Sequence, residues 1–265
     1  MEDVYEEISK LKAKGECAAL ATLISTSGST PREQGAKMLI RQDGSIVGTV
    51  GGSILEGQVR EEAKSVIREG KPKVLSFDLT GKNEDGMICG GKAEVYIEPI
   101  LSLPALYIFG GGHIAFSLVP IAKRVGFRVV VVDDREDYAN PERFPEADKT
   151  IAANYPNAFS QISIDKFSYI VIVTRGHIHD QTVLEWVITT NVHYIGMIGS
   201  RKKIKKLYDN LMAKGVKEDD LKRVHAPIGV DINAETPEEI AISIIAEIIS
   251  VRRAGMPRES KGCAG

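Results

Sequence analysis

Apolar residues at Val4, Ile8 and Leu11 recur at the spacing of one helical face, so residues 2–14 read as a helix. Residues 17–24 are almost continuously apolar and read as a buried strand, ending in a loop of hydroxyls and turn formers, Ser25-Thr26-Ser27-Gly28-Ser29-Thr30-Pro31. Residues 37–41 and 46–50 pattern as a hairpin around Asp43-Gly44, a favoured tight-turn pair. Gly51-Gly52-Ser53 leads into a helix over 54–69, and two further strands follow at 74–79 and 93–97. Strands and helices here do not alternate strictly, which predicts an α+β unit over residues 1–100, with a linker at 99–104.

From residue 104 the pattern changes. Short apolar runs at 105–109, 128–132, 149–152, 169–173, 194–198 and 223–225 are separated by helical segments, as in a parallel sheet with crossover helices. The fold class is therefore α/β: a Rossmann-type domain over 104–255, preceded by a smaller α+β domain and followed by a loose tail at 256–265. The last helix opens with Thr236-Pro237-Glu238-Glu239, a capping box with proline in the first turn. Its polar residues form one narrow stripe, Glu239, Ser243, Glu247 and Ser250, so the helix should be buried on most sides, against the sheet and against either the N-terminal domain or a second subunit, as in a homodimer.

Chemistry enters at Gly110-Gly111-Gly112-His113-Ile114-Ala115, a G-x-G-x-x-A loop between a strand and a helix. Gly110 permits the tight turn, Gly112 lets backbone approach a diphosphate, and Ala115 allows close helix–sheet packing. The helix N-terminus, beginning at His113, offers amide donors to phosphate. Asp133 ends the next strand near the spacing of about 20 residues expected of a ribose-binding acid, and Arg135 follows as a phosphate contact. A loop that only turns the chain has the same pattern.

Other constellations lie at strand ends. Thr174-Arg175-Gly176-His177-Ile178-His179-Asp180 follows the fourth strand of the second half, where α/β sheets bind ligands. His177 and His179 read as acid–base groups, metal ligands or structural loop residues; the one third ligand nearby is Asp180, which also reads as a helix cap. Ser200 suits an N-cap and, with Arg201, a phosphate site, although the basic run to Lys206 also fits a solvated face. In the first half the candidates are Ser27, Ser29, Thr30, Arg32, Ser53, Glu56 and Cys89. Cys89 precedes Gly90-Gly91 in a polar loop, where a thiol is either reactive or an inert small hydrophobe.

A length of 265 residues exceeds the usual single domain of roughly 100–200 and agrees with two. The net charge of −2 provides no global attraction for nucleic acid or anionic lipid. The most apolar stretch, 240–251, is interrupted by Ser243, Glu247 and Ser250 and is shorter than the roughly 20 residues of a membrane span. Three dispersed cysteines make no disulfide framework, and no signal peptide is evident, so a cytoplasmic location is expected.

At STSGSTPREQGAKMLI, GSIVGTVGGSILE, MICGGKAEVYIEP, FGGGHIA, VVVDDREDYANPERFPEA, YIGMIGSRKK and APIGVDINAETPEEIAISIIAEIISVRR the sequence resembles the XdhC/CoxI family, over about residues 19–253. The resemblance implies an accessory factor for molybdenum hydroxylases such as xanthine dehydrogenase rather than a self-sufficient catalyst. It implies the molybdenum cofactor (molybdopterin) as ligand, a cysteine desulfurase as sulfur-supplying partner, and an apo-hydroxylase as recipient. Cofactor-binding residues expected on this basis are Gly110, Gly112, His113, Asp133, Arg135, Ser200, Arg201, Cys89, Ser53 and Glu56. Ser53 stands where many members have cysteine, and Arg175-Gly176 where many have an acidic–His pair. The fingerprint taken alone favours an NAD(P)-dependent oxidoreductase, with Asp133 on the ribose and a histidine for proton transfer; fold by itself does not settle function.

Overall fold

The computed structural model describes residues 3–28, 32–78 and 91–254. The chain divides into two compact units that meet between Leu103 and Pro104.

In the first unit, helix α1 (Val4–Lys14) starts at Asp3, whose side chain accepts from the backbone N–H groups of Tyr5 and Glu6, and stops at Gly15 in the left-handed conformation. Strands β1 (Ala18–Ser27), β2 (Lys37–Arg41) and β3 (Ile46–Gly48), helix α2 (Ser53–Glu69), and strands β4 (Lys73–Asp78) and β5 (Lys92–Ile100) follow. The sheet order is β3-β2-β1-β5-β4, antiparallel throughout. Leu55, Val59, Ala63 and Val66 of α2 bury against Ala19, Ala21, Leu23, Met38, Val95 and Ile97 on one sheet face. Leu11 of α1 packs on Ala18, Leu20, Leu39 and Val47 on the other. Strand β5 extends to Ile100, into the expected linker. Pro99 is tolerated there because β4 pairs with β5 no further than Ile97, so the ladder on that side has ended.

The second unit runs β6 (Ala105–Phe109), α3 (His113–Arg124), β7 (Arg128–Asp133), β8 (Lys149–Ala152), α4 (Tyr155–Phe159), β9 (Tyr169–Ile172), α5 (His177–Val187), β10 (Tyr194–Met197), α6 (Arg201–Ala213), α7 (Glu218–Leu221), β11 (Val224–His225) and α8 (Pro237–Arg253). Its sheet is parallel with order β8-β7-β6-β9-β10-β11. Numbered within the unit this is 3-2-1-4-5-6, the Rossmann order, and the strand sequence reverses direction between β6 and β9. Both faces are covered, which is why β9 and β10 are buried at every position rather than alternating. Side chains of α4, α5 and α6 fill one face around Phe109, Ile170 and Leu184; α3 and α8 fill the other around Ile108, Val131 and Ile244.

The middle of the α8 polar stripe, Ser243 and Glu247, faces inward, while Glu239 and Ser250 at its ends are exposed. Ser243 is buried and donates to the Val230 carbonyl at 2.6 Å. Glu247 accepts from the Tyr194 hydroxyl at 2.5 Å and lies 3.3 Å from His225 Nδ1. Ile242 is the residue of α8 left most open to solvent among its large apolar side chains, at 52%.

Candidate cofactor-binding site

Strands β6 and β9 end level, Phe109 opposite Ile172, and β7 runs one residue past Val132, the partner of Phe109, to Asp133. The glycine loop sits on this edge. Gly110 has φ +109, and a Cβ there would lie 2.3 Å from the Val173 carbonyl oxygen, so the close approach of β9 demands glycine. Gly111 is equally constrained: a Cβ would meet the Tyr138 carbonyl oxygen at 1.8 Å. Gly112 differs. Its backbone is extended (φ −72, ψ −168), and a Cβ would find nothing within 4 Å. Gly112 is the N-cap of α3 and makes no side-chain cap, and the next residue, His113, is exposed. Helix α5 begins the same way at Gly176, again without a side-chain cap. These helices cover opposite faces of the sheet, so two helix N-termini converge on the β6/β9 reversal.

Asp133 is 1% exposed and braces this loop. Its Oδ2 accepts from the Gly111 N–H at 2.8 Å and from Arg135 Nη2 at 3.1 Å. Its Oδ1 accepts from the Arg135 N–H at 3.1 Å and Arg135 Nε at 2.9 Å. These four bonds use the roughly four acceptor positions of a carboxylate. Burial alone would raise its pKa, but the Arg135 guanidinium and the two N–H donors outweigh it and hold the group below the ordinary carboxylate range. Arg135 lies 3.5 Å from the centroid of the Tyr138 ring, and Arg143 5.0 Å. Arg143 Nε also donates to the Gly111 carbonyl at 3.1 Å. The loop is therefore clamped from the β7 side by an acid and two arginines.

Past β7, Asp134 accepts from Arg175 Nη2 at 2.6 Å, an ion pair linking the ends of β7 and β9 across β6. Its other oxygen, Oδ1, is buried without a hydrogen-bond partner. Tyr155, at the start of α4, has a buried hydroxyl that is likewise unbonded. Its ring meets His179 edge-on at 5.3 Å and Phe109 at 6.1 Å. Asp180 is buried and accepts from the Thr174 hydroxyl at 2.6 Å; its pKa is pushed up to about 6 by burial, with Thr174 and the His177 and His179 charges opposing. His177 is exposed. Among the described residues no group of three His, Cys, Asp or Glu is placed to hold a metal ion.

Gly110, Gly112, His113, Asp133 and Arg135 thus share one edge. Ser200 lies at the end of β10, its hydroxyl accepting from the Lys203 N–H at 3.4 Å as the N-cap of α6. Arg201 lines a different groove of about 580 Å³, with Ile204, Lys205, Tyr208 and Lys222. In the first unit Glu56 accepts from the Thr49 hydroxyl and from the Gly52 N–H at 3.4 Å, steadying the start of α2, which Ser53 opens. Ser27 lines a hydroxyl-rich groove of about 410 Å³ with Ser25, Ser76, Asp78, Lys92 and Glu94. Cys89, Ser29 and Thr30 lie outside the described residues, as does the tail.

Gly111, Asp134, Tyr138, Arg143 and Tyr155 were not singled out from the sequence. The paired Asp133-Asp134 was a legible signal, since the second acid of such a pair points away from the first. Tyr155 gave none, because its helix has only one turn.

A family model described as the XdhC Rossmann domain matches residues 106–248, and one described as the XdhC and CoxI family matches residues 11–78. The chain belongs to the XdhC and CoxI family. Within this family, the chain is 35% identical over 253 residues to the uncharacterized protein YqeB of Escherichia coli, covering 94% of itself and 46% of YqeB. It is 34% identical over 159 residues to a protein of Bacillus subtilis named as a probable component of xanthine dehydrogenase, covering 60% of itself and 46% of that protein. The chain therefore spans about half the length of these two curated relatives. It is 23% identical over 269 residues to the molybdenum cofactor insertion chaperone PaoD of Escherichia coli, covering 90% of itself and 84% of PaoD. A crystal structure of a xanthine dehydrogenase from Bacillus halodurans shares the fold, with TM-score 0.54, 24% identity and 97% coverage of both chains. No helix among the described residues is long and apolar enough to cross a membrane.

Proposed function

We propose that this protein is a maturation factor for molybdenum hydroxylases, which holds the molybdenum cofactor at the carboxyl edge of its Rossmann sheet and delivers it to an apo-hydroxylase. The observation that carries the reading is the open space at Gly112. Gly110 and Gly111 are glycines because other parts of the chain press on them; no protein contact makes that demand at Gly112. The vacant side of a glycine facing two uncapped helix N-termini suits a phosphate. The family's cofactor is a pterin carrying a phosphate, with the metal supplied by the cofactor itself. In this reading the Gly112–Ala115 amides hold the phosphate, and Arg135, with His113, faces its charge. The unbonded oxygens of Asp134 and Tyr155 offer one acceptor and one donor to the rest of the molecule. The names of the relative from B. subtilis and the chaperone from E. coli support the same role.

The finer parts of the proposal are support of cofactor sulfuration with a cysteine desulfurase and a homodimeric state, with Cys89, Ser53 and Glu56 of the first unit as further contacts. A cytoplasmic location goes with these. An NAD(P)-dependent oxidoreductase is the second reading, favoured by the Rossmann strand order. The filled coordination of Asp133 counts against its ordinary ribose role in that reading. To separate them, protein purified without oxygen is denatured and the supernatant oxidised and examined for pterin fluorescence, and the ligand-free protein is titrated with NADH. Released pterin without NADH binding supports the maturation factor; NADH binding without pterin supports the oxidoreductase.

A further inference from the structure

Helix α6 and the short helix α7 carry their charge in two blocks. Five cations, Arg201, Lys202, Lys203, Lys205 and Lys206, crowd the first half of α6, and all are exposed. The first turn holds no acidic residue, so the cations sit at the positive end of the helix dipole, the less favourable end for them. None of the five forms an ion pair among the described residues. The acids lie toward the other end: Asp209, and then Glu218, Asp219 and Asp220 in the first turn of α7. Of these four only Asp219 is in an ion pair among the described residues, with Lys222 at 2.8 Å. Between the blocks runs the groove of about 580 Å³, floored by Ile204, Tyr208, Met212, Leu221 and Ala226. Met212 is 40% exposed there. Arg201, Lys205, Asp209 and Glu218 rim it, cations at one end and acids at the other.

A helix laid in this groove must offer acids to the cationic end and cations to the acidic end. Helix α6 itself does so when turned end for end. In a two-fold pair, a residue that meets a second residue of the other copy is met in return by its own counterpart. Lys205 and Asp209 are four residues apart on the groove face of α6, so an axis passing near Leu207 sets Lys205 of each copy against Asp209 of the other. The same axis turns the cationic start of each α6 toward the acids of the other copy's α7. A parallel pairing would set like charge on like. We propose that the α6 groove is a homodimer interface, in which two copies of this chain pack their α6 helices antiparallel. The apolar floor supplies the buried contact, and the two charge blocks fix direction and register. The inference rests on the homodimeric state of the proposed function and names the face that forms it.

The test is sedimentation equilibrium of the full chain. Wild type should be a reversible dimer. Lys205→Glu makes both symmetry-related contacts acid on acid, and Asp209→Lys makes both cation on cation. Each should weaken dimerisation by about 10-fold or more. Met212→Lys, which puts a charge on the apolar floor, should weaken it as well. Mixed together, Lys205→Glu and Asp209→Lys chains regain opposite charges at both contacts, so they should form a heterodimer comparable to the wild-type dimer. Recovery on mixing also shows that both variants are folded. A wild type that stays monomeric overturns the interface and the homodimeric state together, and leaves the phosphate site and the maturation reading standing. A dimer untouched by either charge reversal lies on another face, which overturns this interface and keeps the homodimeric state. Variants that lose the dimer and do not regain it on mixing overturn the antiparallel pairing.

Discussion

Asp133 is the residue on which the glycine loop most depends, and Asp133→Asn isolates its charge with little change in shape. The amide removes one acceptor oxygen and sets an NH2 against either the Gly111 N–H or the Arg135 guanidinium. Losing one partner of a buried charge pair costs about 3–5 kcal/mol. Arg135 is 29% exposed, so water can take over part of its bonding and the lower end applies. The Gly111 N–H is buried and cannot be rescued in this way. The expected loss is about 3 kcal/mol, or roughly 6–12 °C in melting temperature for a unit of this size. Trp186 is the single tryptophan, stacked on Phe159 at 4.1 Å within the Rossmann unit, so its fluorescence in urea reports that unit alone. The effect also has a pH signature. The folded pKa of Asp133 is depressed, so its contribution is present above the unfolded value of 3.8 and fades as pH falls through the folded one. Wild type and mutant should therefore differ fully at pH 7 and converge below about pH 4. Equal urea midpoints at pH 7, or a gap that ignores pH, would refute the brace.

Gly111→Ala should destabilise the same transition by about 3 kcal/mol, because the new methyl meets backbone rather than a movable side chain; a mutant within 0.5 kcal/mol of wild type, about the spread of neutral surface changes, would contradict the packing at Tyr138. Asp180 has a folded pKa raised to about 6 from 3.8, so its contribution is complete below the unfolded value and is lost as pH rises through about 6. Asp180→Asn removes that loss: it should stabilise the unit by about 1–3 kcal/mol at pH 8 and be close to neutral at pH 4, and urea melts showing the opposite order would exclude a buried acid there.

The Rossmann unit was legible because its signals are local and repeated. Buried parallel strands are continuous apolar runs, and the loop between β6 and α3 needs glycines that few other settings need. The extension of β5 through Pro99 was hidden, because only the pairing partner shows that the ladder has already ended on one side. The inward middle of the α8 polar stripe was hidden for a similar reason. Ser243 and Glu247 look like solvent positions until the Val230 carbonyl and Tyr194 hydroxyl are brought beneath them. At the site, the identity of the glycines and acids was readable, but not the division of labour among them. Gly111 stands at an unspecified position of the fingerprint yet is as constrained as Gly110. Asp133 has the spacing of a ribose ligand but is consumed by Gly111 and Arg135, leaving Asp134 with the open oxygen.

The most direct test of the account places a side chain in the space at Gly112. Gly112 has ordinary φ and no protein atom within 4 Å of a Cβ, so Gly112→Val should fold with nearly wild-type stability. Its branched side chain would occupy the position assigned to the phosphate. Wild type and mutant are produced together in cells that make the molybdenum cofactor, purified without oxygen, denatured and oxidised, and the pterin fluorescence per mole of protein is compared. The account predicts pterin with the wild type and a loss of about 10-fold or more in the mutant, on the scale of losing charge-assisted bonds to a phosphate. A folded Gly112→Val protein that carries as much pterin as the wild type would contradict it.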